Sequence, residues 1–438
     1  MNLEEKLREL KQAAGKTVRE DALERQLEYL RRLEQRPRRV AAQKLPHGVE
    51  HYVEGEICSN DRGQYFLASQ MLPFGRPYGK FCVGDVAHAD LTPLELFLKD
   101  ADIPPASSVA YLDTETTGLS GGTGTCAFLI GIGAAEGSGF RVRQFFLRDF
   151  TEEKAALAAL AEALAPYDLL VTYNGKTFDV PLLETRYTLA RMRSPFSKLV
   201  HLDLLHPARR LWKLRLESCR LKNLERELLG IARNGDVPGS EIPQIYFDYL
   251  RTGSAKGLQP VFFHNALDIV TLAGLTVEVA QSIATAGGAQ SDSRDLFSLS
   301  RVLERAGASD LARSTCLEAL ARGLPESVEP QALWQLAAQH KRERRYQDAV
   351  EVWMRIINMR SRYTVDACVE LAIHYEHRVR DADKALEFAE AAFQHLQENS
   401  ASKSWLERLL HRRQRLLGKL RQNGVAAEMQ THLAGRAS

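Results

Sequence analysis

Three short segments place carboxylates where they could share a cation: Asp113-Thr-Glu115-Thr-Thr-Gly118, Tyr173-Asn-Gly-Lys-Thr-Phe-Asp179 and His264-Asn-Ala-Leu-Asp268. Side chains alternate along a strand, so Asp113 and Glu115 emerge on one face and can reach one cation site. Residues four apart on a helix are neighbours, so His264 and Asp268 share a face about one turn apart. Asp179 falls early in a helix that follows a strand, where a carboxylate also complements the helix dipole. Each segment alone has a plainer reading: two solvated acids at a strand end, a helix-stabilising aspartate, a packed or surface histidine. Their occurrence in this order within one α/β pattern points to a single site.

The chemistry such a set suits is phosphodiester hydrolysis. Two divalent cations roughly 3.5–4 Å apart can activate water and neutralise the leaving oxygen. Hard carboxylate oxygens suit Mg²⁺ or Mn²⁺. The expected metal set is therefore Asp113, Glu115, Asp179 and Asp268 with two ions. A histidine of unperturbed pKa about 6.5 can take the proton of the attacking water, which makes His264 the candidate base. Asn174 and Lys176, just ahead of Asp179, are candidates for substrate phosphate, against the alternative of a polar helix start. The run Gly118 to Gly124 lacks the Lys-Ser/Thr of a P-loop and is expected as a turn.

These residues need elements to hold them. Val109 to Asp113 is a short apolar run of the kind a buried strand shows, ending on an acid. Cys126 to Gly133 and Phe140 to Leu147 read as the next two strands, giving an antiparallel three-strand start. Residues 152 to 165 are Ala-rich and helical. Asp168 to Tyr173 is a further strand, followed by a helix from about Thr177 to Arg193. Helical patterns around Leu221 to Leu229 and Ala266 to Ile283 complete an α/β unit over 101–284. Residues 285–293 have the small-residue composition of a linker.

Before this unit lie a charged helical arm (1–40), ending in Arg36-Pro37-Arg38-Arg39, and a β-rich leader (41–100) to which no chemistry is assigned. Beyond the linker, Leu299, Leu336 and Leu371 lead similar patterns with Ala312, Ala349 and Ala385 following. That spacing approximates the tetratricopeptide period of about 34. An all-α helical-repeat domain over 294–421 is expected, with a last helix carrying Trp405, Leu409, Leu416 and Leu420 on one face as its cap and a tail at 422–438. The basic face of that helix, Arg408, Arg412, Arg413, Arg415 and Lys419, is expected to be solvated.

With 438 residues, 45% hydrophobic and 26% charged, the chain has an ordinary globular composition. A formal charge of only +2 means that nucleic-acid affinity must come from local clusters such as Arg209, Arg210, Lys213 and Arg215. Six scattered cysteines, without a CxxC pair, read as reduced thiols. The acidic start MNLEEKLREL does not resemble a secretion signal. The apolar stretch Cys126 to Ala135 is about half of the roughly 20 residues that span a bilayer. A cytoplasmic protein without a membrane span is the expectation.

The acidic segments resemble the DEDD exonuclease superfamily, and their wording is similar to the YprB-type ribonuclease-H-like family within it, over roughly residues 45 to 282. Gly118-Leu-Ser-Gly-Gly-Thr-Gly-Thr125, Leu221-Lys-Asn-Leu-Glu225 and Val237-Pro-Gly-Ser-Glu-Ile-Pro243 add to the resemblance. It implies a ribonuclease-H-like α/β core, a mixed sheet with flanking helices. It also implies two metal ions on Asp113, Glu115, Asp179 and Asp268, contacts to the terminal nucleotide near Thr116 and Leu119, and 3′-to-5′ release of nucleotides. One departure concerns the base. The histidine-type branch places its His five residues before the last Asp, whereas His264 precedes Asp268 by four, the spacing of the tyrosine-type branch.

The expected function is thus a metal-dependent 3′-to-5′ exonuclease acting on single-stranded DNA or RNA ends, with C-terminal repeats that recruit a protein partner. A nucleic-acid-binding scaffold that no longer cleaves, or a structure-selective endonuclease, are the competing classes.

Overall fold

The computed structural model describes residues 48–98, 102–118, 124–233, 235–285, 291–398 and 403–434, with side chains at all of these except 397, 398, 403–405 and 422–434. The charged arm, its Arg36 to Arg39 end and Leu119 lie outside the described residues.

Among the described residues nine strands form: β1 (Glu56–Asn60), β2 (Gly63–Pro73), β3 (Pro77–Tyr78), β4 (Phe81–Cys82), β5 (Val109–Thr116), β6 (Ala127–Glu136), β7 (Gly139–Phe146), β8 (Leu169–Thr172) and β9 (Val200–Asp203). Seven of them make one mixed sheet in the order β1-β2-β7-β6-β5-β8-β9, while β3 and β4 form a small separate ladder. The turn between β6 and β7 is closed by Gly137, whose positive φ of 56° suits glycine. β5, β8 and β9 run parallel, and parallel neighbours need crossovers. Helices α1 (Glu153–Leu164) and α2 (Asp179–Ala190) supply them. The leader is continuous with this core, because β2 pairs antiparallel with β7 from Phe66↔Phe146 to Pro73↔Gly139.

Alternation along β5 decides what its end can do. Val109 and Tyr111 pack into the core with Ile269, Leu272 and Trp212, on the face covered by helices α3 (Leu205–Trp212) and α5 (Gln259–Ala284). Ala110 and Leu112 pack on the opposite face with Leu160, Leu183 and Tyr187 of α1 and α2. Asp113 and Glu115 therefore continue the α5 face, and Thr114 continues the α2 face. Helix α4 (Ile242–Thr252) closes a third cluster, in which Tyr246 stacks on Phe128 with ring centroids 3.9 Å apart.

Helix α5 is longer than the Cys126 to Ala135 stretch. Residues Lys256–Ala284 reach a mean hydropathy of 1.4 over an 18-residue window, long and apolar enough to cross a membrane by composition. Yet 67% of that window is buried inside the protein, as in the central helix of a core.

The C-terminal region is helical: α6 (Ser293–Arg305), α7 (Ser309–Ala321), α8 (Glu329–Arg342), α9 (Tyr346–Asn358), α10 (Thr364–His374), α11 (Ala382–Glu398) and α12 (Lys403–Ala434). Ala312, Ala319, Ala337, Ala349, Ala372 and Ala385 are buried between neighbouring helices, where small side chains permit close approach. Leu409 and Leu416 of α12 are buried. Its basic face is exposed at Arg408, Arg413 and Arg415, as expected, and it is also paired. Arg412, Arg415 and Lys419 converge on the buried carboxylate of Glu376 at 2.7–2.9 Å, and Arg413 reaches Glu390 at 3.2 Å. Helix α12 runs on to Ala434, through most of the segment expected as a tail. The region joins the core where Arg215 donates to Asp295 at 2.7 Å.

Candidate active site

The four acids come from three elements that meet at the C-terminal end of β5. Asp113 Oδ2 accepts from Asn265 Nδ2 at 2.9 Å. Asn265 is fully buried on α5, and its Oδ1 accepts from Gln144 Nε2 at 2.9 Å. A side chain at Gly131 on β6 would collide with Asn265 Oδ1, so glycine there is a condition of this contact. From the other face of β5, Thr114 Oγ1 donates to Asp179 Oδ1 at 2.5 Å and fixes the first residue of α2 beside the strand end.

On α5, His264 Nε2 lies 3.9 Å from Glu115 Oε1 and 3.6 Å from Asp268 Oδ2. Its other nitrogen, Nδ1, lies 2.7 Å from Asp236 Oδ1. A carboxylate can only accept, so Nδ1 carries a proton, and Nε2 is the nitrogen turned toward Glu115 and Asp268. Asp236 is buried and also meets Arg233 at 3.4 Å and Lys222 at 3.5 Å. Arg233, itself buried, donates to Asp268 Oδ1 and to Glu225 Oε2, the latter at 2.6 Å. Glu225 Oε1 in turn accepts from Tyr78 and Thr271, at 2.6 and 2.8 Å.

Electrostatically the acids are crowded. Burial, and then the charges of Asp268, Glu115 and Asp179, push the Asp113 carboxyl well above its ordinary range. Glu115 is raised likewise by burial and by Asp268 and Asp179. Burial pushes Asp179 up to about 6 despite its bond from Thr114. Asp268 is raised by burial even against Arg233 and His264. Asp236 goes the other way: burial raises it, but the contacts from His264 and Arg233 outweigh that and hold it below the usual range. For Arg233, burial is more than offset by Asp268 and Glu225, so its guanidinium stays charged.

Apart from Arg233 at Asp268, these buried carboxylates have little counter-charge, and a divalent cation is a species that would supply it. Asp113, Glu115, Asp179 and Asp268 offer only hard oxygens, the donor type that divalent cations take. Among the described residues, no group of three or more His, Cys, Asp or Glu side chains is already drawn together as a metal cluster. Three of the acids have other partners here: Asn265 contacts Asp113, Thr114 contacts Asp179 and Arg233 contacts Asp268.

Beside the acids opens a groove of about 760 Å³ whose lining includes Asp113, Asp268, Asn174, Arg209, Lys213 and Arg220. Asn174 thus shares a groove with two of the acids. Its own φ is 65°, and its backbone N–H donates to the buried Asp203 at 2.7 Å. Lys176 also gives its N–H to Asp203, at 3.0 Å, but its side chain lines a different cavity with Phe97, His206 and Arg210. Thr116 Oγ1 turns back to Gly118 O at 2.9 Å. The basic cluster read from sequence divides: Arg209 and Lys213 face the acid groove, Arg210 the neighbouring cavity, and Arg215 the helical region.

Sequence reasoning missed Asn265, Asp236, Arg233, Glu225 and Asp203 as parts of this arrangement. Asn265 adjoins His264 and Asp236 adjoins the Val237 to Pro243 segment, so their positions were in view. No spacing rule connects Asp236 to a histidine 28 residues later.

A profile of the RNase_H superfamily matches residues 110–280 of the chain. The uncharacterized protein YprB of Bacillus subtilis (strain 168) is 34% identical over 292 residues, covering 65% of this chain and 68% of that protein. The matched span contains all four acids, His264, Arg233 and Asp236. The fold is thus of a nuclease type, and RNase H-like nucleases generally use divalent metals.

Proposed function

From its membership of the YprB-type family within the RNase H superfamily, to which this chain belongs, we propose that it is a divalent-metal-dependent 3′-to-5′ exonuclease acting on single-stranded DNA or RNA ends. The observation that carries this reading is the convergence of Asp113, Glu115, Asp179 and Asp268. All four are raised in pKa by burial, with mutual repulsion adding to it at Asp113 and Glu115.

In this account the four carboxylates hold two Mg²⁺ or Mn²⁺ ions. When bound, such ions neutralise charge on the scissile phosphate and make water acidic enough to attack it. His264 takes the proton of the attacking water at Nε2, the nitrogen left free by the Asp236 contact. Asn265 orients the Asp113 carboxylate, and Thr114 that of Asp179. Asn174 and the segment around Thr116 and Leu119 are assigned to the terminal nucleotide, and Lys176 to a phosphate beyond it. The helical region is assigned to partner recruitment, with Trp334, Tyr346 and Arg378 lining a hollow of about 410 Å³. Six free cysteines suit a cytoplasmic setting.

One contact favours the binding-only alternative: Arg233 already gives Asp268 a counter-charge. Linear and covalently closed single strands separate the exonuclease from an endonuclease. The proposal expects the full chain with Mn²⁺ to shorten a linear oligonucleotide from its 3′ end and to spare the circle. Cutting of the circle overturns the exonuclease assignment.

A further inference from the structure

Beyond the reacting phosphodiester, a bound strand presents further phosphates, and four clustered carboxylates repel them. With a formal charge of only +2, the chain has no general positive field to offset that repulsion, so local cations must do it. The groove beside the acids contains such cations. Leu205, Arg209 and Lys213 follow one another at intervals of four along α3 and its C-cap, which puts them on one face, and all three line the groove. Arg220 approaches from the segment after α3 and lines it too.

Two features set these three cations apart from structural ones. Among the described residues none of them makes an ion pair with a carboxylate. Lys213 donates only to the backbone oxygen of Glu217, at 2.8 Å. Arg215 and Arg233, nearby in sequence, are both committed to acids. The wall is also braced. Tyr173, at the end of β8, donates to Cys219 O, and Asn223 Nδ2 donates to Ser218 O at 2.7 Å, so the segment carrying Arg220 is tied to the sheet. On its other side α3 is held by the buried Leu211 and Trp212. Charged side chains on a fixed wall, leading to an acidic centre, match what a single strand's backbone needs.

We propose that Arg209, Lys213 and Arg220 form a phosphate-tracking subsite for the internal phosphates of a single-stranded nucleic acid whose end lies at Asp113 and Asp268. The proposal rests on the nuclease reading of the acids and adds the path of the strand. Its cations are a separate set from Lys176 and Arg210, which line the neighbouring cavity.

The test is fluorescence anisotropy of 5′-fluorescein-labelled 12-mers of deoxythymidine and of uridine, with the full chain in chelator so that nothing is cut, across a salt series. For the triple variant Arg209→Ala, Lys213→Ala, Arg220→Ala, the expected result is at least a tenfold weaker Kd at low salt. The slope of log affinity against log salt should also flatten by about 2, roughly 0.7 for each lost contact. Each single variant, if the triple does not fold, should flatten it by about 0.7. The control Arg210→Ala, at a residue lining the neighbouring cavity, should bind with a slope near that of the wild type. An unchanged slope in the triple and single variants, with wild-type binding intact, overturns the subsite and leaves the nuclease reading standing. A wild-type chain that neither binds these oligonucleotides nor cleaves them with Mn²⁺ overturns both.

Discussion

Asp236 Oδ1 lies 2.7 Å from His264 Nδ1, and the aspartate that orients the histidine is itself buried against Arg233. The contact gives His264 one tautomer and one ring orientation, with Nε2 turned to Glu115 and Asp268. Asp236→Asn keeps the shape and removes the charge. An orienting partner of this kind is worth on the order of 10–100-fold. The expected outcome is a fall of that size in kcat for oligonucleotide cleavage with KM little changed. An unchanged kcat would count against Asp236 as a positioning residue.

Gly131 is the second point of leverage, because a methyl group there meets Asn265 Oδ1. Gly131→Ala should displace Asn265 from Asp113 and cost about 1–3 kcal/mol through overpacking. Thermal denaturation reads the stability, and cleavage rate reads the loss of a correctly held Asp113. Gly133→Ala, whose methyl would meet Ile269 and Phe140 instead, is the matched control for packing alone.

The crowded carboxylates should make the metal-free protein less stable than it need be. Asp179 has a folded pKa of about 6, above an unfolded value of about 3.9. A raised carboxyl destabilises the folded state as it ionises, so the penalty is absent below about pH 4 and complete above about 6. Asp179→Asn in chelator should therefore raise stability by about 1–2 kcal/mol at pH 7 and leave it nearly unchanged at pH 4. Millimolar Mn²⁺ should raise the Tm of the wild type more than that of the variant. An equal Mn²⁺-induced rise in Tm for wild type and variant would contradict the cation assignment.

In the helical region, Glu376 makes the opposite prediction. Burial raises its carboxyl, but Arg415 and Lys419 outweigh this and hold it down at about 2. A lowered carboxyl stabilises the fold above its unfolded pKa, and that contribution disappears as pH falls toward 2. Glu376→Gln should cost about 1–3 kcal/mol at pH 7, from hydrogen bonds to charged groups. The gap to the wild type should narrow as pH falls from about 4.5 towards 2, as denaturant titrations at several pH values would show.

The strands were legible wherever apolar runs were long and uninterrupted, as at Val109–Leu112 and Cys126–Ile132, and so were the acids at the ends of elements. Parity along β5 was readable too, so the common face of Asp113 and Glu115 followed from spacing alone. What escaped was whatever depends on distant pairing. β9 has only four residues, Val200–Asp203, and its alternation is too short to register. β2 joins the sheet through β7, from Phe66↔Phe146 to Pro73↔Gly139, a distant pairing that made the leader look separate. The Asp236–His264 and Arg233–Asp268 pairs come from a π-helical turn and the loop after it packing against α5, a juxtaposition without a sequence period. The ion pairing on the basic face of α12 was hidden for a related reason: its partner Glu376 belongs to another helix.

The most direct measurement of the central claim is cleavage of a 5′-labelled single-stranded DNA, and its RNA counterpart, by the full chain with Mn²⁺, Mg²⁺ or chelator, alongside Asp113→Ala. The account predicts a metal-dependent ladder shortening from the 3′ end, absent in chelator and in the variant, with both proteins melting cooperatively. No cleavage by a folded wild type with either metal, or equal cleavage by Asp113→Ala, would contradict it.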